Sequence, residues 1–201
     1  MVTLIDGVFA IVMTLLVLEL TVPHLSHSNV ANELPKALIE LWPVILSYFT
    51  SFIILGFLWI AHHDDFSYIK RVDRGLLWIS IFYLMSIAFI PFSTSLLGEY
   101  GDQQISVIIY ASNIIIIGFW INLQWLYVTK KHRLVDKDLD PTFIRLMARR
   151  ALLAPIIYLI AIGISFIDIQ ASIILFIVYP LYYLIPPRKN KSWFSSLTAS
   201  K

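Results

Sequence analysis

Six apolar stretches, at about 4–22, 38–61, 75–96, 104–128, 150–167 and 170–186, take up most of this 201-residue chain. Each has roughly the 17–25 residues that a helix needs to cross a bilayer. In lipid every backbone N–H and C=O must be satisfied within the segment, so the stretches are read as helices. The expected fold is an all-α membrane protein with six transmembrane helices. Short polar punctuation separates them: Pro23 to Pro35, Asp64 to Arg74, Gly98 to Gln104, Lys130 to Arg149, and a turn around Asp168. Residues 1–187 read as one six-helix domain and residues 188–201 as a short basic tail. Pro155 and Pro180 fall inside the last two stretches and are expected to bend them.

Charged residues make up only 14% of the chain, too few to clothe a soluble domain of this size. There is no cysteine, which excludes disulfides and thiolate metal sites. The first stretch lacks a basic n-region and a small-residue cleavage site, and is therefore expected to be retained rather than removed as a signal. Fourteen of the fifteen Lys and Arg residues lie in alternate loops or the tail, with Lys36 the exception. The positive-inside rule then puts both termini in the cytoplasm of a multi-pass protein of the cell membrane. Trp42, Trp78, Trp125 and Trp193 fall near predicted span ends, whereas Trp59 and Trp120 lie deeper.

Within the first stretch stand Asp6, Thr14 and Glu19. An unpaired carboxylate in hydrocarbon costs several kcal/mol, so each acid needs a partner, an aqueous lining or an interfacial position. Ile11, Thr14, Leu15 and Leu18 follow i, i+3, i+4, i+7 spacing and share one helix face. That face gains nothing against lipid and gains something by facing a pore. Gly7 allows close helix approach and favours a buried, partnered Asp6, while Glu19 is expected to face outer water and headgroups.

His62-His63-Asp64-Asp65 looks like a metal cluster, but adjacent helical side chains point about 100° apart and cannot chelate from one face. No metal site is expected. A histidine paired with Asp6, at the same depth, is the preferred reading, and an interfacial histidine without a special role is the other. Pro91-Phe92-Ser93-Thr94-Ser95 reads as a helix end or kink whose hydroxyls satisfy freed carbonyls. Asn113, Asn122 and Gln124 read as hydrogen-bonding glue between helices, and Tyr179, Tyr182 and Tyr183 as an interface belt. No nucleotide-binding, zinc-protease, hydrolase, selectivity-filter or voltage-sensor motif occurs. Neither an enzyme nor a cofactor is indicated.

The first helix, from Asp6-Gly7-Val8-Phe9-Ala10-Ile11 through Thr14-Leu15-Leu16-Val17-Leu18-Glu19, resembles that of the prokaryotic relatives of transmembrane protein 175, the endosomal and lysosomal potassium channel. Trp59-x-x-His62-His63-x-x-Phe66, Phe89-x-Pro91-Phe92-x-Thr94-x-Leu96-Leu97-Gly98-Glu99-Tyr100 and Tyr110-x-x-Asn113 match the same family in order. Its signature, R-x-x-x-F-S-D, keeps only the aspartate, as Asp6. Leu4 and Ile5 replace Phe and Ser, and the arginine would precede Met1. The start is therefore expected to be truncated or to lack part of the cytoplasmic polar network, leaving Asp6 with His62 or His63.

The resemblance implies a homotetramer whose four first helices surround a central pore conducting potassium and other monovalent cations. It also places hydrophobic gate rings at Ile11, Leu15 and Leu18 and a selectivity ring at Thr14. A ring of branched aliphatic groups gates by dewetting, and one ring of hydroxyls should select less sharply than stacked carbonyl rings. The competing expectation is a proton-coupled transporter using Asp6, Glu19 and His62/His63 as relay groups. An intramembrane metalloenzyme at His62-His63-Asp64-Asp65 ranks below both.

Overall fold

The computed structural model describes residues 2–25 and 30–184, with side chains as far as Pro180 in the last helix. The basic tail, Trp193, and the side chains of Tyr182 and Tyr183 lie outside the described residues. Everything described is helix, turn or loop, apart from one isolated antiparallel bridge between Ile69 and Val135.

The chain begins with α1, Val2–Leu16, which tightens into a 3₁₀ turn at Val17–Glu19. Leu18 thus sits on the turn and not on the regular helix that its spacing predicted. After a short α2 (Val30–Glu40) comes α3, Trp42–Ser67. It runs about 39 Å at 1.5 Å per residue. Its end lies beyond His62-His63-Asp64-Asp65, so the quartet is helical throughout.

The third apolar stretch is two helices in line, α4 (Arg74–Ala88) and α5 (Ile90–Glu99), broken at Phe89. The break follows from Pro91, which has no N–H to give and clashes with the carbonyl four residues back. The hydroxyls were expected to satisfy carbonyls freed at the proline, but Ser93 Oγ bonds to the Ile90 carbonyl at 3.0 Å, at the start of α5, and not to that of Ile87. Thr94 departs from that reading, because its hydroxyl goes to Ser51 on α3 at 2.8 Å.

The central helix is α6, Gln104–Thr129. The stretch expected to be one polar loop from about 129 to 148 holds a helix, α7 (Pro141–Ala151), followed by α8 (Leu153–Ser165) and α9 (Ile169–Leu184). Asp140 caps α7 by accepting from the Thr142 N–H at 2.9 Å, with Pro141 as first helical residue. Phe143, Ile144, Met147 and Ala148 turn inward against Trp125, Val128, Leu134 and Val135. The bend expected at Pro155 lies before it, at Leu152. Pro155 occupies the first turn of α8, where a missing N–H costs no hydrogen bond. Gly118 on α6 lies against Pro155 so closely that a Cβ there would fall 2.5 Å from Pro155 Cγ.

Five helices or in-line helix pairs are long and apolar enough to cross a membrane: Val2–Glu19, Trp42–Ser67, Arg74–Glu99, Gln104–His132 and Pro141–Ser165. The sixth predicted span begins as a shorter apolar helix, Ile169–Pro180. Lipid tails are as apolar as leucine, so what holds these helices together is close packing and hydrogen bonds between them. The bonds run where the amides suggested. Asn113 Nδ2 donates to Ser93 Oγ at 3.1 Å, and Asn122 Nδ2 to the Ala148 carbonyl at 2.9 Å. Ser80 Oγ reaches Gln124 Oε1 at 3.4 Å. A buried chain of hydroxyls, from Thr94 to Ser51 and on to Tyr110 at 2.9 Å, ties α5, α3 and α6 together.

Candidate functional site

Two stripes divide α1. Ile5, Phe9, Val12 and Leu16 are at most 2% exposed and pack into the core formed with α3, α4 and α5. Phe9 meets the Tyr83 ring at 6.2 Å between centroids. The other stripe is bare in the single chain. Leu18 is 69%, Ile11 60% and Leu15 41% exposed, with Gly7, Ala10 and Thr14 exposed among them. The four residues singled out by spacing therefore share the side of α1 that the chain's own core does not cover.

The Thr14 hydroxyl lies within hydrogen-bond distance of two carbonyls of its own helix, Ile11 at 2.8 Å and Ala10 at 3.0 Å. β-branched hydroxyl residues in helices commonly bond back in this way. With the proton engaged, the oxygen keeps lone pairs on the exposed face, so Thr14 can act as an acceptor there but not as a free donor.

Asp6 does not pair with a histidine. Its Oδ1 accepts from the Trp59 indole at 2.8 Å, and among the described residues it forms no ion pair. The reason is helical geometry. Trp59 and His63 are four apart and share the face of α3 turned toward the start of α1. His63 stacks on Trp59 at 5.6 Å, so it joins the Asp6 cluster through the indole. His62 points into the core, 3% exposed, between Phe66 at 4.4 Å and Tyr83 at 5.1 Å. The Gln124 amide lies beside it, yet neither Gln124 Nε2 nor His62 Nε2 makes a well-formed hydrogen bond. The two histidines thus diverge, as adjacent helical residues must. Among the described residues no three His, Asp or Glu converge on a common point.

Sequence reasoning missed Trp59 as the partner of Asp6, although the signal was present. An indole N–H four residues before His63 lies on the same face of α3. Glu19 sits half-buried in the 3₁₀ turn.

The α4 end of the bundle is clamped separately. Asp73 caps α4 through the Leu76 N–H at 2.9 Å, accepts from Tyr127 Oη at 2.9 Å and pairs with Arg133 at 2.9 Å. Arg133 also lies over the Tyr127 ring, 4.7 Å from its centre. The Leu76 N–H, then Tyr127 and Arg133, hold the Asp73 carboxyl below its ordinary value.

The sequence profile of the family described as "Endosomal/lysosomal potassium channel TMEM175" matches residues 1–91. A potassium channel of Chamaesiphon minutus is 33% identical over 184 residues, covering 90% of both chains. The crystal structure of a lysosomal potassium-selective channel TMEM175 homolog from the same organism superposes with a TM-score of 0.79 at 30% identity, covering 91% of this chain and 94% of that one. A protein of Gallus gallus named endosomal/lysosomal proton channel TMEM175 is 34% identical over 104 residues, which are 49% of this chain and 21% of that one. Similarity at this level over nearly the whole of both chains, with a shared helical fold, means that this multi-pass membrane protein belongs to the TMEM175 family.

Proposed function

We propose that four copies of this chain assemble around α1 into a potassium-conducting cation channel, with Ile11, Leu15 and Leu18 as hydrophobic gate rings and Thr14 as the selectivity ring. The observation that carries the reading is the bare stripe on α1. Its small residues, Gly7 and Ala10, permit close approach of helices, and its large aliphatic ones can close a narrow pore by expelling water. Thr14 offers oxygen lone pairs without a free proton, which suits a partly dehydrated cation. Potassium as the conducted ion is taken from the named activity of the full-length bacterial relative. In this reading α9 completes the sixth crossing, and both termini lie in the cytoplasm of a cell-membrane protein.

A proton relay through Asp6 and the histidines finds less support. The indole between Asp6 and His63 donates only and cannot pass a proton on. The proton-channel name of the vertebrate relative nonetheless makes proton flux part of the test.

The experiment is reconstitution into liposomes with potassium, sodium and proton gradients imposed in turn, and the assembly mass measured in detergent. Larger potassium than sodium flux from a tetramer is the expected result. A monomer whose ion flux requires a proton gradient would overturn it. Orientation is tested by single cysteines at Asp102 and Asp136. An impermeant thiol reagent applied outside cells should label the first and spare the second.

A further inference from the structure

Away from α1, a groove of about 310 Å³ opens between α3, α6, α8 and α9. Its walls are apolar, including Ile54, Ile114, Gly118 and Ala154, and Asp64, Asp65 and Arg150 line it as well. The three charged residues belong to the ends of α3 and α7, at the end of the bundle away from the α8–α9 turn. Two buried polar groups on the wall lack a partner. Asp65 is 7% exposed, and among the described residues its carboxylate accepts no hydrogen bond. Tyr158 is 1% exposed, and its hydroxyl bonds to nothing in the described residues. Polar groups buried in apolar surroundings are normally satisfied, and these two face the same space.

We infer that the groove holds a phospholipid with a primary-amine headgroup. The chain spans a membrane, so phospholipid is the most abundant molecule that can enter an apolar slot between its helices. One acyl chain matches the apolar walls. At the charged end, carboxylates and a guanidinium stand together, complementary to an ammonium and a phosphate on one zwitterionic headgroup. Asp65 specifies the amine, because a choline headgroup carries the same charge but no N–H to donate. An anionic headgroup would gain Arg150 and meet Asp64 and Asp65 unfavourably. The Tyr158 hydroxyl, further from that end, is placed to donate to an ester carbonyl. The inference is independent of ion conduction, since it needs only that the chain lies in a bilayer.

The test is native mass spectrometry of the delipidated protein titrated with phosphatidylethanolamine, phosphatidylcholine and phosphatidylglycerol of matched acyl chains. The wild-type chain should bind phosphatidylethanolamine several-fold more tightly than the other two. Asp65→Asn and Arg150→Gln should erase that preference, and Ala154→Phe, which fills the groove, should remove the bound lipid. Equal binding of all three headgroups by the wild-type chain would overturn the inference, and that measurement stands even if Ala154→Phe fails to fold. Undiminished selective binding in the groove variants would overturn it as well, by placing the lipid elsewhere. If Ala154→Phe changes the oligomeric mass and leaves lipid binding intact, a second copy of the chain covers the groove and the inference fails.

Discussion

The Trp59 indole donates to Asp6 Oδ1 at 2.8 Å, so the second turn of α1 is fastened to α3 by one charge-assisted hydrogen bond. If α1 lines a pore, this bond fixes the position of the end that carries Asp6. Trp59→Phe removes the donor and keeps an aromatic ring, and Asp6→Ala removes the acceptor. Because the pair is partly exposed, each change should cost about 1 kcal/mol. The double variant should cost less than the sum. Thermal unfolding in detergent, run as a double-mutant cycle, checks this. Additivity in the Asp6–Trp59 cycle would show that the bond contributes nothing.

The hydroxyl chain of Thr94, Ser51 and Tyr110 makes a second stability prediction. Ser51 sits in the middle, 1% exposed, so Ser51→Ala strips the partner from both neighbours at once. It should destabilise by about 1–2 kcal/mol, and Thr94→Val, at the end of the chain, by about 0.6 kcal/mol. If the two variants melt together, the chain does not behave as a network.

Most of the helical frame was legible because span length and helical periodicity are local properties. The bare stripe of Ile11, Thr14, Leu15 and Leu18 followed from spacing alone, and the break at Phe89 from Pro91. What was not legible depended on how helices cross. His62 and His63 were expected at the depth of Asp6 and Trp59 deeper, and only the way α1 crosses α3 brings Trp59 to Asp6. The α7 error was different in kind. The charges before it, Lys130, Lys131, Arg133 and Lys137 mixed with Asp136, Asp138 and Asp140, suggested a loop, although Phe143, Ile144, Met147 and Ala148 already marked a helical face. Tyr83, which sandwiches His62 from α4, carried no signal in its local sequence.

The Asp73 clamp predicts a pH dependence with a definite sign. Its carboxyl is held below the ordinary value, about 4, so its contribution is fully present above that value. It is lost as pH falls through the lower value of the folded state. The difference in unfolding temperature between the wild-type chain and Asp73→Ala should therefore be constant from neutral pH down to about pH 5 and shrink below pH 4. Arg133→Gln should show a smaller difference over the same range, because the Leu76 N–H and Tyr127 still hold the carboxylate. A gap that closes between pH 8 and 6 would mean that some other group is titrating.

The decisive prediction concerns the two stripes of α1, because they make opposite demands on neighbouring residues. In the proposed tetramer each ring holds four copies of one side chain, so shortening or polarising one position would change the constriction four times over. Ile11→Asn and Leu15→Ala should raise resting cation flux while leaving the unfolding temperature near that of the wild-type chain, since both side chains are exposed in the single subunit. Leu16 lies about 100° from Leu15 and is fully buried in the core. Leu16→Ala leaves a cavity, at a cost of about 2–5 kcal/mol, and should lower stability without opening a conducting path. Thr14→Val keeps the shape and removes the oxygen, so it should lower the potassium-over-sodium flux ratio more than it lowers assembly. Liposome flux and thermal unfolding, measured together on the four variants, separate pore from core. Should Leu16→Ala raise flux while Ile11→Asn and Leu15→Ala leave it unchanged, the bare stripe does not face the ions, and conduction must run along another surface of the bundle.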